Sequence, residues 1–194
     1  MVHVVQRPRL LTEKPVLDEP TIFACRHVGL MDPVILMVLY YRKMIRPLAA
    51  LDYFEKNKFT HFFFSHAQCI PIDRHNHSPQ WLEDSTAAIR KGESIVIFPE
   101  GKRNKVGEDL LPFHVGAALL AARSGARIVP VYNWKWKFPR RYTLAIGEPI
   151  RVSAPPGEGT EGFHLYLKAE TAKIQAAVAA LESVRKDQSL TPKA

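Results

Sequence analysis

Cysteine is almost absent, with two in 194 residues, so a disulfide framework is excluded. None is needed, because a chain of this length buries roughly 68–75% of its unfolded surface in a core of its own. Cys25 and Cys69 each fall in an apolar run typical of a strand and read as buried, reduced thiols of a cytosolic protein. Long apolar runs are also missing. The longest, residues 34–41, holds eight residues, whereas a helix crossing a bilayer needs about 20. The first residues, MVHVVQRPRLLTEKP, contain no apolar signal core followed by a small-residue cleavage site, so the expected location is cytoplasmic. Acidic residues are in deficit, 19 against 27 basic, for a net charge of +8. Residues 100–141 hold nine basic and three acidic residues, so six of the eight excess charges lie there. A local excess implies a facing anion: a phosphorylated ligand, an anionic lipid surface, an acidic carrier protein or nucleic acid. The plain alternative is a solubilising basic face.

What is present is ordinary globular material, 46% apolar and 24% charged, which makes one domain over 1–194 the expectation. Residues 21–25 form a β-rich run. Asp32-Pro33 then opens a helix reaching about Lys43, with Asp32 as N-cap and Pro at the first helical position. Residues 46–51 read as a second strand, followed by a helix whose capping box is Asp52 and Glu55. Residues 69–73 make a third strand. Ser78-Pro79 starts a helix that presents Trp81, Leu82, Ser85, Ala88 and Ile89 on one face and stops at Gly92. Residues 94–98, SIVIF, show no polar alternation and read as a strand buried on both faces. A helix over about 113–124 ends at Gly125, IVPVY at 128–132 is the next strand, and 142–146 another. A long amphipathic helix closes the chain at about 161–185, and 187–194 reads as a frayed tail. Strands alternating with helices predict an α/β fold with a mostly parallel central sheet and helices on both faces. Ligands then gather at the carboxyl ends of the strands.

Chemistry-bearing residues sit where that rule puts them. After the first strand comes HVGLMD, placing His27 and Asp32 five apart. A neutral imidazole is a competent general base, and a carboxylate on its far nitrogen fixes the tautomer and favours the imidazolium formed on proton uptake. The plain alternative is that Asp32 only caps the helix and His27 is a loop residue. After the fourth strand comes FPEGKRN; shuffling this composition gives about 0.002 copies of FPEG, so that string is informative. A strand-end loop with a glycine and adjacent cations can bring backbone N–H groups and a guanidinium fork to one phosphate. IPIDR places a further arginine, Arg74, at the end of the third strand.

These residues resemble the glycerolipid acyltransferases typified by lysophosphatidate (1-acylglycerol-3-phosphate) acyltransferase. CRHVGLMD is similar to that family's His-x4-Asp block, IPIDR to its second block, FPEGKRN to its third and IVPVY to its fourth, in the family's order and within 21–150. The resemblance implies that His27 deprotonates the hydroxyl of a lysophospholipid, which attacks an acyl thioester directly, and that Asp32 holds and charge-stabilises His27. It implies that Arg74, Glu100, Gly101 and Arg103 grip the phosphate or glycerol of the acceptor. The fourth block, around Pro130, is implied to shape the acyl and catalytic pocket. The co-substrate is acyl-CoA or acyl-carrier protein, with no metal and no other cofactor. The chain departs from the pattern at Arg26, Gly29, Lys102 and His114, where the family often has Asn, Ser, Thr and Lys. The dyad is intact, and the acceptor's identity is the point these changes touch: a lysolipid, ornithine lipid or glycolipid acceptor other than lysophosphatidate is the alternative. Without the hydrophobic N-terminal segment usual in the family, the expected attachment is peripheral, on the anionic inner leaflet of the cytoplasmic membrane. The basic face or short apolar segments such as 34–41 and 62–64 would supply it.

Three rival readings remain open in the sequence. Trp134 to Arg141, WKWKFPRR, interleaves aromatics and cations as single-strand nucleic-acid binders do, although the same composition suits a lipid headgroup interface. His61, His66, His75 and His77 invite a metal reading without any Cys-x-x-Cys beside them. Cys25, two residues before His27 on the same strand face, is a candidate nucleophile.

Overall fold

A computed structural model describes residues 8–73, 76, 78–104, 110–134, 141–157 and 160–185. Its elements run β1 (Arg9–Leu10), β2 (Thr21–Cys25), α1 (Asp32–Leu39), β3 (Ile45–Ala50), α2 (Leu51–Glu55), α3 (Lys58–His66), β4 (Ile70–Ile72), α4 (Gln80–Arg90), β5 (Ser94–Ile97), α5 (Gly116–Ser124), β6 (Arg127–Asn133), β7 (Thr143–Ile146) and α6 (Glu161–Ala180). One seven-stranded sheet has the order β1-β7-β6-β2-β5-β3-β4. Five neighbouring strands, β6, β2, β5, β3 and β4, are parallel, and β7 joins β6 antiparallel. This is the mostly parallel α/β sheet the sequence predicts.

Period-two alternation along the strands divides the core. In β2, Ile22 and Ala24 pack with α4, α5 and α6 on one face, while Phe23 and Cys25 pack with Ile35, Leu36 and Tyr40 of α1 on the other. A strand covered on both faces has no polar side to show, and all five residues of β2 are buried. The order of the strands then places the chemistry. β5 enters the sheet between β2 and β3, and β6 lies on the other side of β2, so β2 is the point where the direction of winding reverses. The carboxyl ends of β2 and β5, 72 residues apart in sequence, are therefore side by side at the crevice.

Several local expectations need correction. Asp32 is the first residue of α1, and Met31 holds the cap position with no side-chain bond; the Asp32 carboxylate turns back to the preceding loop instead. The helix ends at Leu39 rather than near Lys43. Asp52 and Glu55 form no capping box, since Ala50 precedes α2 without a side-chain cap. The capping box lies one helix later, where Asn57 accepts from the Thr60 N–H and the Thr60 hydroxyl accepts from the Asn57 N–H. The helix expected from about 113 starts at Gly116, because His114 is drawn off to bond Pro99. The predicted stops at Gly92 and Gly125 stand, with left-handed φ of 91° and 71°. β1 was not anticipated; it adds parallel to β7 at the sheet edge. Residues 187–194 lie outside the described residues.

Both thiols are free and buried. Burial, and then the charge of Asp32, pushes the Cys25 thiol well above its usual range, and burial pushes Cys69 up to about 11. A raised folded-state value means that the unfolded chain releases its proton first as pH rises. The stability linked to these thiols is thus fully present below about pH 8.5 and lost above it, at about 1.4 kcal/mol per thiol per pH unit. Thermal melts between pH 7.5 and 10 should show the wild type losing stability faster than Cys25→Ala. Parallel pH dependences would contradict the burial of that thiol.

Candidate active site

β2 delivers the chain to the crevice at Arg26, and the loop that follows folds around one carboxylate. Asp32 is 0% exposed. Its Oδ2 accepts from the Val28 N–H at 2.7 Å and the Gly29 N–H at 2.9 Å, and it meets His27 Nδ1 at 2.8 Å. Its Oδ1 accepts the Tyr142 hydroxyl at 2.5 Å. An ionised carboxylate only accepts, so Nδ1 of His27 carries the ring proton and Nε2 is left with its lone pair. Phe98 stacks on the imidazole with ring centroids 4.0 Å apart, and the His27 side chain keeps 17% of its surface exposed. A fixed tautomer, a fixed ring plane and an open edge are what a general base requires. Asp32 is therefore not a side-chain cap of α1; its carboxylate bonds the ring of His27 instead.

The FPEGKRN block holds this loop from the β5 side. The buried Glu100 accepts the His27 N–H on Oε1 at 2.8 Å, and on Oε2 the Leu111 N–H at 3.1 Å and the Asn104 side-chain amide at 3.3 Å. The Asn104 N–H returns to the His27 carbonyl at 2.7 Å. Both backbone groups of His27 are thus tied to the neighbouring loop. Glu100, which the resemblance places in the acceptor grip, has both oxygens occupied by protein donors and clamps the catalytic loop. Gly101 follows with φ of 68°, and a Cβ there would lie 2.9 Å from Cδ2 of His114. Glycine is needed both for the left-handed turn and for the approach of that imidazole.

A cavity of about 840 Å³ opens beside His27, within the range that holds a small-molecule ligand. Its walls come from Met31 and α1 (Val34, Met37), β3 (Leu48, Ala49), α3 (Phe59, Phe63, Phe64) and Trp81 of α4, together with His27, Gly101 and His114. Sequence reasoning did not find it, since no single motif carries its walls. Tyr142 was missed too, because its 110-residue separation from Asp32 leaves no spacing signal.

The other anticipated residues divide as follows. Arg103 and Lys102 are exposed on the loop after β5. Arg74 lies outside the described residues, so its convergence with Arg103 has no geometry here. Pro130 sits inside β6, packed against Gly147, and is absent from the cavity wall. Arg26 is buried away from the dyad, stacked 4.6 Å over the Tyr132 ring and donating to the Asn133 carbonyl at 3.1 Å, while Asn133 donates back to the Arg26 carbonyl. Cys25 cannot serve as nucleophile, because its buried thiol is held protonated. His61 and His66 lie against the backbone carbonyls of Phe54 and Phe62; His75 and His77 lie outside the described residues, among which no three potential metal ligands converge. Most of WKWKFPRR is likewise outside them. Trp134, the aromatic that begins it, is buried against Tyr132 and is not a stacking platform.

Residues 3–134 match the family model described as Acyltransferase. The chain belongs to this acyltransferase family. Among its relatives, the 1-acyl-sn-glycerol-3-phosphate acyltransferase of Bacillus subtilis (strain 168) is 30% identical over 139 residues, 69% of this chain and 68% of that protein. The 1-acyl-sn-glycerol-3-phosphate acyltransferase of Cocos nucifera is 31% identical over 117 residues, 57% of this chain and 36% of that protein. Among solved structures, the acyltransferase PlsC of Thermotoga maritima, described as acting on 1-acyl-sn-glycerophosphate, superimposes with a TM-score of 0.62 at 18% identity. That match covers 96% of this chain and 75% of that one, and it shows a shared fold.

In this acyltransferase, Glu100→Gln would turn an amide N–H toward one of three donors and remove the charge that binds them. Hydrogen bonds to charged groups contribute about 1.5–3 kcal/mol each. The variant is expected to melt at lower temperature and to lose at least tenfold in turnover while His27 and Asp32 are untouched. Wild-type turnover in Glu100→Gln would refute the clamp.

Proposed function

We propose that the protein transfers a fatty acyl group from a thioester, carried on CoA or on acyl-carrier protein, to the free hydroxyl of 1-acylglycerol-3-phosphate, giving phosphatidate. The observation that carries this reading is the buried carboxylate that fixes His27 with Nε2 open at the end of a long apolar cavity. Nε2 takes the proton of the acceptor hydroxyl as its oxygen attacks the thioester carbonyl carbon. The resulting imidazolium is stabilised by Asp32, which stays ionised. When the tetrahedral adduct collapses, the C–S bond breaks and the imidazolium returns its proton to the departing thiolate. The apolar walls from α1, β3 and α3 suit an acyl chain. Arg103, exposed at the strand-end loop, suits the phosphate, together with Arg74 if both grip one group. Names given to the Bacillus subtilis and Cocos nucifera relatives support the acceptor chosen.

Purified protein should form phosphatidate from lysophosphatidate and an acyl thioester. His27→Ala should lower kcat by about 10²–10⁴ while remaining folded, the usual contribution of a positioned general base. Arg103→Lys keeps the charge and loses the fork, so kcat/KM should fall roughly 10- to 150-fold for the phosphate-bearing acceptor and little for a lysolipid lacking that phosphate. A wild type that prefers the phosphate-free lipid and ignores Arg103→Lys would overturn the lysophosphatidate assignment.

The same reading supplies a membrane face. Among the described residues no helix is long and apolar enough to cross a bilayer. The cavity, however, is edged by side chains that also face outward: Leu30 and Met31 before and at the start of α1, and Phe59 and Phe63 of α3, which are 77% and 50% exposed. Phe62 is exposed beside them, and Lys56 and Lys58 are exposed around the start of α3. Aromatic tips with cations around them fit the boundary of an anionic leaflet, and a mouth pressed on lipid lets acyl chains pass without crossing water. Among the described cations of 100–141, Arg127 lies apart from this mouth, since it begins β6 and pairs with Glu19. Phe62→Asp should reduce sedimentation with anionic vesicles several-fold at low salt and spare turnover of short-chain, monomeric substrates. Vesicle binding that is unchanged in Phe62→Asp but released by salt would assign attachment to charge elsewhere.

A further inference from the structure

The acyl transfer proposed for this site uses His27 and Asp32, yet the carboxylate has a second side-chain partner. Tyr142 immediately precedes β7, its ring is buried among Val131, Leu144 and Ile146, and its hydroxyl donates to Asp32 Oδ1 at 2.5 Å. Oδ2 already receives Val28, Gly29 and His27, so Tyr142 is the donor on the opposite oxygen. We propose that Tyr142 is a positioning residue of the acyl-transfer site, which aims the Asp32 carboxylate at His27 and draws part of its charge away from the imidazole. The inference rests on the general-base reading of His27.

The geometry gives the hydroxyl two effects. With donors on both oxygens, the carboxylate cannot rotate about its Cβ–Cγ bond, so Oδ2 stays in line with Nδ1. Each donor also competes for the negative charge, and the more Tyr142 takes, the less Asp32 favours imidazolium over neutral imidazole. Asp32 thus meets the imidazolium formed in the reaction with a carboxylate whose charge it shares with Tyr142. The titratable groups acting on Tyr142 are Asp32 from α1 and Cys25 from β2; Tyr40, the residue that follows α1, belongs to the same buried cluster. Burial, then the Asp32 charge, pushes the Tyr142 hydroxyl up, and the Cys25 thiol is pushed up likewise. Both keep their protons at neutral pH, and the hydroxyl remains a donor throughout the working range.

The test compares the wild type with Tyr142→Phe and with 3-fluorotyrosine placed at position 142, a near-isosteric stronger donor that preserves the packing. Histidine NMR of the labelled protein reads the titration of His27 without any substrate, and acyl-transfer kinetics read kcat and KM. In Tyr142→Phe the imidazole titration and the acid limb of kcat should both move to higher pH. kcat should fall about 10- to 100-fold with KM changed less than twofold, as expected for losing a hydrogen bond to a charged group. In 3-fluorotyrosine protein both should move to lower pH. In a His27→Ala background Tyr142→Phe should change kcat by less than twofold, because its effect passes through His27. An unmoved His27 titration in both variants would overturn the proposal, as would an equal kcat loss in the His27→Ala background. If Tyr142→Phe does not fold, the fluorotyrosine protein decides alone. If the wild type transfers no acyl group, the function reading fails, while the NMR titration still tests the contact.

Discussion

The carboxylate of Asp32 is fully withdrawn from water, and such a charge persists only where hydrogen-bond donors replace the water it lost. Four donors do so, supplied by three constraints of the fold. Val28 and Gly29 are brought in by the tight loop after β2, His27 by the end of that strand, and Tyr142 by the entry to β7. The loop can close only because α1 begins at Asp32 and turns its first side chain backward. The start of α1, the end of β2 and the entry to β7 are thus fastened at one carboxylate. A shift in any of them would leave a buried charge short of a partner, and this explains why His27 has one orientation.

The second fastening comes from sheet order. Because β5 inserts next to β2, Glu100 and Asn104 reach both backbone groups of His27. Two blocks that look like separate functional motifs in the sequence are therefore one mechanical unit. The loop after β2 carries His27 and the loop after β5 holds it still, with Gly101 and His114 also lining the cavity.

How much of this could be read from the sequence depended on distance along the chain. β2, β5 and β6 were legible because strands buried on both faces are continuous apolar runs. The stops at Gly92 and Gly125 were legible because left-handed backbone selects glycine. The His27–Asp32 pair was legible through the resemblance of CRHVGLMD to a His-x4-Asp block, its spacing of five alone being a weak signal. β1 is two residues long and carries no period. The capping box was misplaced because Asp52 and Glu55 have the right spacing, whereas Asn57 and Thr60 have the actual bonds. Glu100 was placed in the acceptor grip by the family resemblance, and its bonds to the His27 and Leu111 N–H groups join residues that meet only in the fold. The cavity was invisible for a related reason: residues of α1, β3, α3 and α4 meet only after the sheet is wound.

The account stands or falls on Asp32 acting as a charge rather than as a helix-start residue. The most direct measurement is the single-turnover rate of acyl transfer by Asp32→Asn, a variant of nearly equal shape that removes the negative charge. The account predicts a folded protein with the rate lowered by about 10² or more and substrate binding little changed. A folded Asp32→Asn protein that turns over at the wild-type rate would contradict it.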